Sequence, residues 1–272
     1  MFKPPMLAKK YEPHTAKYPL FAEPKLDGMR LVVIITGKNV VYYSRSGKQM
    51  QYDSYHDELV SLAGGRQLVF DGELMARDFK ETMEQGRRQS GRDETNLRLH
   101  LFDVVPLINW LQGETEVYTA RKLLLRSLFH EVELRKVKQV EWMARCNDDA
   151  DCQLLHDICV TKLHEGVMLK KDAPYSWKRS GDLLKLKRRE RFECMVVGFQ
   201  AGEGKHEGRL GALEVLLDDR IFFVGTGFDD TQRQHIWDNV ELYLGMEVYV
   251  LGQEITLGGA IRFPVFDGWI ET

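Results

Sequence analysis

Four short apolar runs, each bounded by Gly, Asp or Asn, set the tightest limit on how this chain can fold. They are LVVIIT (31–36), VVYYS (40–44), LVFDGELM (68–75) and LRLHLFDVV (97–105). Runs of this length, rich in β-branched residues, favour strands over helices. The first two are separated by Gly37-Lys38-Asn39 and read as a hairpin. Helical periodicity lies between and after them. Tyr118 to Val132 sets Leu124, Leu125, Leu128 and Phe129 on one side, with Arg and Lys on other faces and Thr119 as a cap. Asp149 to Leu163 repeats the pattern with Leu154, Leu155, Ile158 and Cys159. The expected class is α+β with an antiparallel core.

The composition changes after Lys187. CMVVGF, LGALEVLL, RIFFVGTGF, MEVYVLGQEI and AIRFPVF follow, interrupted by one helix-like insert, Asp230 to Tyr243. Five short strands in about 80 residues with Gly-rich turns suit a small closed barrel such as an OB-fold. The junction KLKRRERF reads as an exposed linker or hinge. The expected domains are therefore 1–188 and 189–272.

Charge narrows the partners. Lys and Arg total 38 against 41 Asp and Glu, a formal net charge of −3, so bulk basicity cannot drive nucleic-acid binding. Any such surface must be a local patch. No run approaches the ~20 apolar residues of a membrane span. Prolines interrupt MFKPPMLAKKYEP where a signal peptide would be apolar. The four cysteines form no CxxC pair and read as reduced core thiols. The expectation is a cytoplasmic protein, monomeric and without a membrane partner.

The chemistry concentrates in five segments, in this order: Glu23-Pro-Lys25-Leu-Asp27-Gly28-Met-Arg30; Phe70-Asp71-Gly72-Glu73; Leu101-Phe102-Asp103; Glu165-Gly166-Val167-Met168-Leu169-Lys170; and Leu184-Lys185-Leu186-Lys187. Alone, each has a bland reading: an exposed turn, a strand-end carboxylate, a core aromatic, a solvated strand face. Their chemistry is nevertheless coherent. A lysine amine can attack an α-phosphate and leave again through a phosphoramidate. Carboxylates suit magnesium or ribose hydroxyls. Lysines two apart on a strand point to one face and can clamp one phosphate.

Together the five segments resemble the ordered motifs of the covalent nucleotidyltransferases, the polynucleotide ligases and capping guanylyltransferases. The segment from Gly198 to Ala212 and Val224-Gly-Thr-Gly-Phe228 resemble the OB domain of ATP-dependent DNA ligases. The resemblance implies a nucleotidyltransferase (adenylation) domain followed by an OB-fold domain, with ATP as co-substrate and Mg²⁺ or Mn²⁺ as metal. Its implied partner is nicked duplex DNA. By the same resemblance Lys25 matches the adenylylated lysine, and Arg30 an arginine contacting the nick 5′-phosphate or the nucleotide. Glu73 matches the ribose-contacting carboxylate and a metal ligand, and Phe102 the ring stacked on adenine. Glu165 matches a second metal-site carboxylate, and Met168 closes the other face of the base. Lys185 and Lys187 match the α-phosphate lysines, Glu23 a reader of the adenine amino edge, and Arg179 an arginine near the phosphates.

Ser44 and Arg45 match the place where ligases touch DNA phosphates beside the nick. Arg87 and Arg88 lie in a second basic segment, 86–92, for which a solvated face is an equal reading. Only 24 residues precede Lys25, too few for the NAD-recognising segment of NAD-dependent ligases, so ATP is expected. One departure is notable. The ligases usually finish with a basic Arg-x-Asp-Lys-like motif after Arg-Phe-Pro, whereas Arg262-Phe263-Pro264 is followed here by Val-Phe-Asp-Gly-Trp-Ile-Glu-Thr, with Glu271 near the expected place. On that reading Mg²⁺ and another basic residue, Arg262, Lys205 or Arg209, serve the leaving pyrophosphate. The alternatives are an RNA ligase or capping-type nucleotidyltransferase, and a non-catalytic OB-type nucleic-acid binder.

Overall fold

The computed structural model describes all residues except 1, 89, 189, 253–254, 256–259 and 271–272. The chain divides into two compact units, Met1–Lys187 and Arg188–Thr272. The first is built on two sheets. One has six strands in the order Gln49–Met50, Asn39–Ser44, Met29–Thr36, Leu68–Met75, Arg98–Pro106, Val137–Gln139. The other has five, in the order Leu7–Lys10, Arg179–Lys187, Gly166–Lys170, Leu20–Lys25, Ala144–Cys146. Pairing is antiparallel except for Leu7–Lys10 on Arg179–Lys187 and Arg98–Pro106 on Val137–Gln139.

Period-two alternation decides which face each side chain takes. On Met29–Thr36, Leu31, Val33 and Ile35 enter one core, packed against Leu59 and Leu62 of helix His56–Ala63 and Leu125 and Leu128 of helix Tyr118–His130. Val32 and Ile34 enter a second core, which joins Val69 and Val105 to Leu183 of the other sheet. A third core seats Cys152 and Cys159 of helix Asp149–Thr161 on Leu20, Ala22, Val167, Leu169 and Leu184. The two sheets therefore face each other across the second core, and each carries helices on its outer side. Each fully buried Leu, Val or Ile contributes about 1.5–3 kcal/mol to holding that arrangement.

Several helical expectations are revised. Helix Tyr118–His130 turns Arg121 and Lys122 inward, both buried, so its cations are not confined to solvent faces. Thr119 does not cap it; its N–H and hydroxyl donate instead to Asp172, at 2.8 and 2.9 Å. Helix Asp149–Thr161 is capped by Asp148, which accepts from the Asp151 N–H at 2.9 Å, and Leu154 is 60% exposed because the buried face is drawn by Cys152 and Cys159.

In the second unit, strands Glu190–Ala201, Leu210–Leu217, Arg220–Val224, Glu247–Gly252 and Val265–Trp269 form one antiparallel sheet. A closed barrel was expected. Among the described residues no strand pairing closes the sheet. Its edges are tied instead where the Phe266 N–H donates to the Thr226 carbonyl and the Thr226 hydroxyl to the Pro264 carbonyl, both at 2.8 Å. The insert is two helices, Asp230–Asp238 and Val240–Tyr243, broken at Asn239; Asp229 starts the first with a capping box. The division between the two units falls inside the basic junction, after Lys187. Lys185 and Lys187 belong to one strand, and Arg191 to the next, where it pairs with Asp267.

Candidate active site

The inner face of the five-stranded sheet is organised by register. Gly166 pairs with Lys25 on one side and Lys187 on the other; Met168 pairs with Glu23 and Lys185. Directly paired residues share a face, so Lys25, Glu23, Met168, Lys185 and Lys187 line one surface. Glu165, at the entry to its strand, donates its N–H to the Lys25 carbonyl at 3.1 Å. Its carboxylate bridges the ammonium groups of Lys25 and Lys187. Burial would raise the Glu165 pKa, but the two lysines outweigh it and keep the group below its ordinary value. The Lys185 pKa is lowered by burial and by Lys187, Lys25 and Arg179 nearby. Two glycines permit the close approach. A Cβ on Gly28 would strike the Leu74 carbonyl, and Gly166 adopts φ +143° against the Leu186 carbonyl.

The facing surface belongs to the six-stranded sheet. Arg30 pairs in register with Glu73, and Val32 with Asp71. The Arg30 guanidinium grips Asp71 through Nε at 2.5 Å and Nη2 at 2.6 Å, and Tyr175 donates its hydroxyl to the same carboxylate at 2.5 Å. Burial pushes the Glu73 carboxyl up to about 7; Arg30 and Lys25 hold it back in part, while Asp71 and Glu165 add to the rise. Phe102 sits where the ladder to Leu68–Met75 slips, Asp71 pairing with Asp103 and Gly72 with Leu101. It is thus the extra residue of a β-bulge, a device that re-aims a side chain. Its ring lies under Arg30 at 4.5 Å and Lys170 at 5.0 Å.

Glu23 is 2% exposed. Its Oε1 accepts from the Tyr118 hydroxyl at 2.8 Å and from Lys122, and its Oε2 from Lys170 at 2.6 Å. The expected reader of the adenine edge is therefore enclosed by three donors. Beside it, Arg121 grips Asp103 at 2.7 and 3.0 Å. Burial opposes ionisation of both carboxylates, and their cations lower both pKa values regardless. Sequence reasoning missed Arg121 and Lys122, because no local pattern marks a helical cation that turns inward, and it gave no role to Lys170, Tyr118 or Tyr175, whose partners are distant in sequence. It also passed over His100, in register with Glu73, whose pKa burial and the cations Lys138 and Arg98 push down to about 4.

The remaining residues are dispersed. Arg179 bonds the Ala8 carbonyl at the sheet edge. Ser44 organises its turn, its hydroxyl accepting from the Lys48 N–H at 3.1 Å, and Arg45 is exposed. Arg87 and Arg88 are exposed, whereas Arg92 of the same segment is locked over the Tyr52 ring at 3.9 Å. Arg262 and Lys205 lie in the second unit, as does Arg209, paired with Asp230 at 3.2 Å; Glu271 lies outside the described residues. Among the described residues no group of three or more His, Cys, Asp or Glu could hold a metal ion, and no helix is long and apolar enough to cross a membrane. The four cysteines are buried and free.

Comparison with known proteins places this geometry. Residues 5–187 match the model for the ATP dependent DNA ligase domain, and residues 201–269 that for the DNA ligase OB-like domain. A DNA ligase of Cenarchaeum symbiosum is 28% identical across 93% of this chain and 53% of its own length. The chain spans about half the length of the curated relatives it matches. Among solved structures, Pmar-Lig_Pre is 30% identical with a TM-score of 0.88, covering 97% of this chain and 67% of that one. The Chlorella virus DNA ligase-adenylate is 27% identical with a TM-score of 0.55, covering 99% of each. Two opposed sheets with Lys25 on the inner face of one, followed by an OB-like sheet, are thus the parts of a known architecture, and the chain belongs to the ATP-dependent DNA ligase family.

Proposed function

We propose that the chain seals nicks in duplex DNA, using ATP and a lysyl-AMP intermediate on Lys25. The observation that carries this reading is the Lys25–Glu165–Lys187 bridge, set beside Lys185 and facing Arg30 and Glu73. The Lys25 amine attacks the α-phosphorus of ATP; a P–N bond forms and the P–O bond to pyrophosphate breaks. Lys185 and Lys187 hold the charge that develops on the α-phosphate. A 5′-phosphate oxygen at the nick then attacks the same phosphorus and returns the amine to Lys25. Finally the 3′-hydroxyl attacks the 5′-phosphorus and AMP leaves. Phe102 meets the base from the six-stranded sheet and Glu23 and Met168 position it from the five-stranded sheet, while Arg179 faces the outer phosphates.

A divalent cation fits the carboxylates present. Glu73 is pushed toward neutrality by burial beside Asp71 and Glu165, a load of negative charge that a dication relieves. Magnesium is usually held by one or two carboxylates together with phosphates. Glu73 and Glu165 would hold it, and it would supply charge neutralisation at the phosphates.

The first unit is the adenylation domain and carries the DNA grip on this reading. Residues 1–187 have 30 basic and 26 acidic side chains, whereas residues 188–272 have 8 and 15. Arg45, Arg87 and Arg88 meet backbone phosphates from exposed positions, with Ser44 shaping its turn and Arg30 exchanging Asp71 for the nick phosphate. The chain acts as a monomer inside the cell, in replication or repair. A nick-sealing assay tests the proposal, with DNA and RNA strands and with ATP and GTP. Sealing of DNA with ATP is the expected result. Activity confined to RNA or to GTP would transfer the chain to the RNA ligase or capping reading, and no joining with any pair would refute it.

A further inference from the structure

Strand Leu7–Lys10 forms the edge of the five-stranded sheet and carries no residue of the motif series. It runs parallel to Arg179–Lys187, and after an irregularity at Ala8 its register is Lys9 with Leu184 and Lys10 with Lys185; the Tyr11 N–H then donates to the Lys185 carbonyl at 3.0 Å. Leu184 belongs to the outer core with Val167, Leu169 and the helix cysteines. Lys185 belongs to the inner face, in line with Met168 and Glu23. Lys10 therefore shares the inner face and extends the row Glu23, Met168, Lys185 by one strand, a step of about 4.8 Å. Lys9 is turned to the opposite face. Both are exposed.

Lys10 thus adds a fourth ammonium group to Lys25, Lys185 and Lys187 on one surface, with Arg179 at the same edge. Glu165 neutralises two of them, Lys25 and Lys187, while Lys185 has its pKa depressed by the surrounding cations. Cations gathered in this way repel one another until an anion enters, which is the electrostatic mark of a polyphosphate site. The α-phosphate must lie within reach of Lys25, so groups further along the row toward the edge face the outer end of the nucleotide.

We infer that Lys10, with Arg179, forms a subsite for the terminal phosphates of ATP and for the pyrophosphate that leaves. The inference rests on the ATP-dependent reading above. It places cationic support for the leaving group on the adenylation unit itself, at a residue outside the motif series.

The test uses the full chain and three variants, Lys10→Ala, Lys10→Arg and Lys9→Ala. Lysine adenylylation is measured with ATP, and its reversal by adding inorganic pyrophosphate to the isolated enzyme–AMP. In reversal a pyrophosphate oxygen attacks the α-phosphorus, the P–N bond to Lys25 breaks, the amine takes up a proton and ATP is released. Lys10→Ala should slow adenylylation at sub-saturating ATP by about ten-fold or more, the worth of a charge-assisted hydrogen bond. It should raise the pyrophosphate concentration needed for reversal by a similar factor. Lys10→Arg should recover most of the loss, and Lys9→Ala should stay within two-fold of wild type. Sealing of a pre-adenylylated nick, which involves no pyrophosphate, should be unchanged in all three. Wild-type rates for Lys10→Ala in both directions would overturn the inference, as would equal slowing of pre-adenylylated sealing, which would assign Lys10 to DNA. Absence of AMP uptake by the wild type is the separate outcome that removes the underlying reading.

Discussion

Glu73→Gln should flatten part of the pH dependence of stability. Glu73 has an ordinary pKa of 4.5 and is pushed up to about 7 in the fold. The folded state therefore binds more protons than the unfolded state between these values, and stability falls as pH rises through that window. The contribution is favourable relative to high pH while the group stays protonated, and is lost above about pH 7. A rise of this size corresponds to about 3 kcal/mol at 1.36 kcal/mol per unit. In metal-free buffer without nucleotide, the Gln variant should gain on wild type by up to that amount between pH 5 and 8. Urea denaturation at pH 5, 6, 7 and 8 measures the difference; Trp110, Trp142 and Trp177 report on the first unit. Magnesium added at pH 8 should stabilise wild type and leave the variant nearly unmoved. Parallel pH profiles for the two proteins would mean instead that Glu73 titrates as an ordinary carboxylate.

Lys122→Met should destabilise the first unit by about 3–5 kcal/mol in urea melts, because it strips a cation from buried Glu23. Adding Glu23→Gln should recover a large part of that loss. Nick affinity should fall steeply with salt, and the Arg45→Ala, Arg87→Ala double variant should lower the slope of log K against log salt by about 2; fluorescence anisotropy from low to moderate salt checks both. Gly28→Ala should cost about 1–3 kcal/mol in thermal melts, since the added methyl meets the Leu74 carbonyl.

The strands were legible in the sequence where alternation and turn residues agree, as in Met29–Thr36 with its two-residue turn at Gly37, and in Leu68–Met75. Leu20–Lys25 and Gly166–Lys170 were harder. They carry charge on their inner face because they line a site, so they do not read as apolar runs. The motif series brought together Lys25, Glu73, Glu165, Lys185 and Lys187, since each lies on, or for Glu165 immediately before, a strand whose register is set by hydrophobic neighbours. Arg121, Lys122 and Tyr175 were invisible for the opposite reason. Their partners, Asp103, Glu23 and Asp71, lie at least 18 residues away, and only the tertiary fold closes those pairs. The OB-like sheet was legible from strand number and spacing, but how its edges are tied, through Thr226 and Phe266, was not, because that contact joins residues 40 apart.

Sealing depends on covalent adenylylation of Lys25, which mass spectrometry of the whole protein and of its digest reads out. The chain is incubated with ATP and Mg²⁺, digested, and the modified residue located. One adenylyl group per chain is expected, on Lys25, removed by pyrophosphate and absent from Lys25→Ala, a variant that still seals a pre-adenylylated nick. No adduct, or an adduct on another residue that persists in Lys25→Ala, would contradict it.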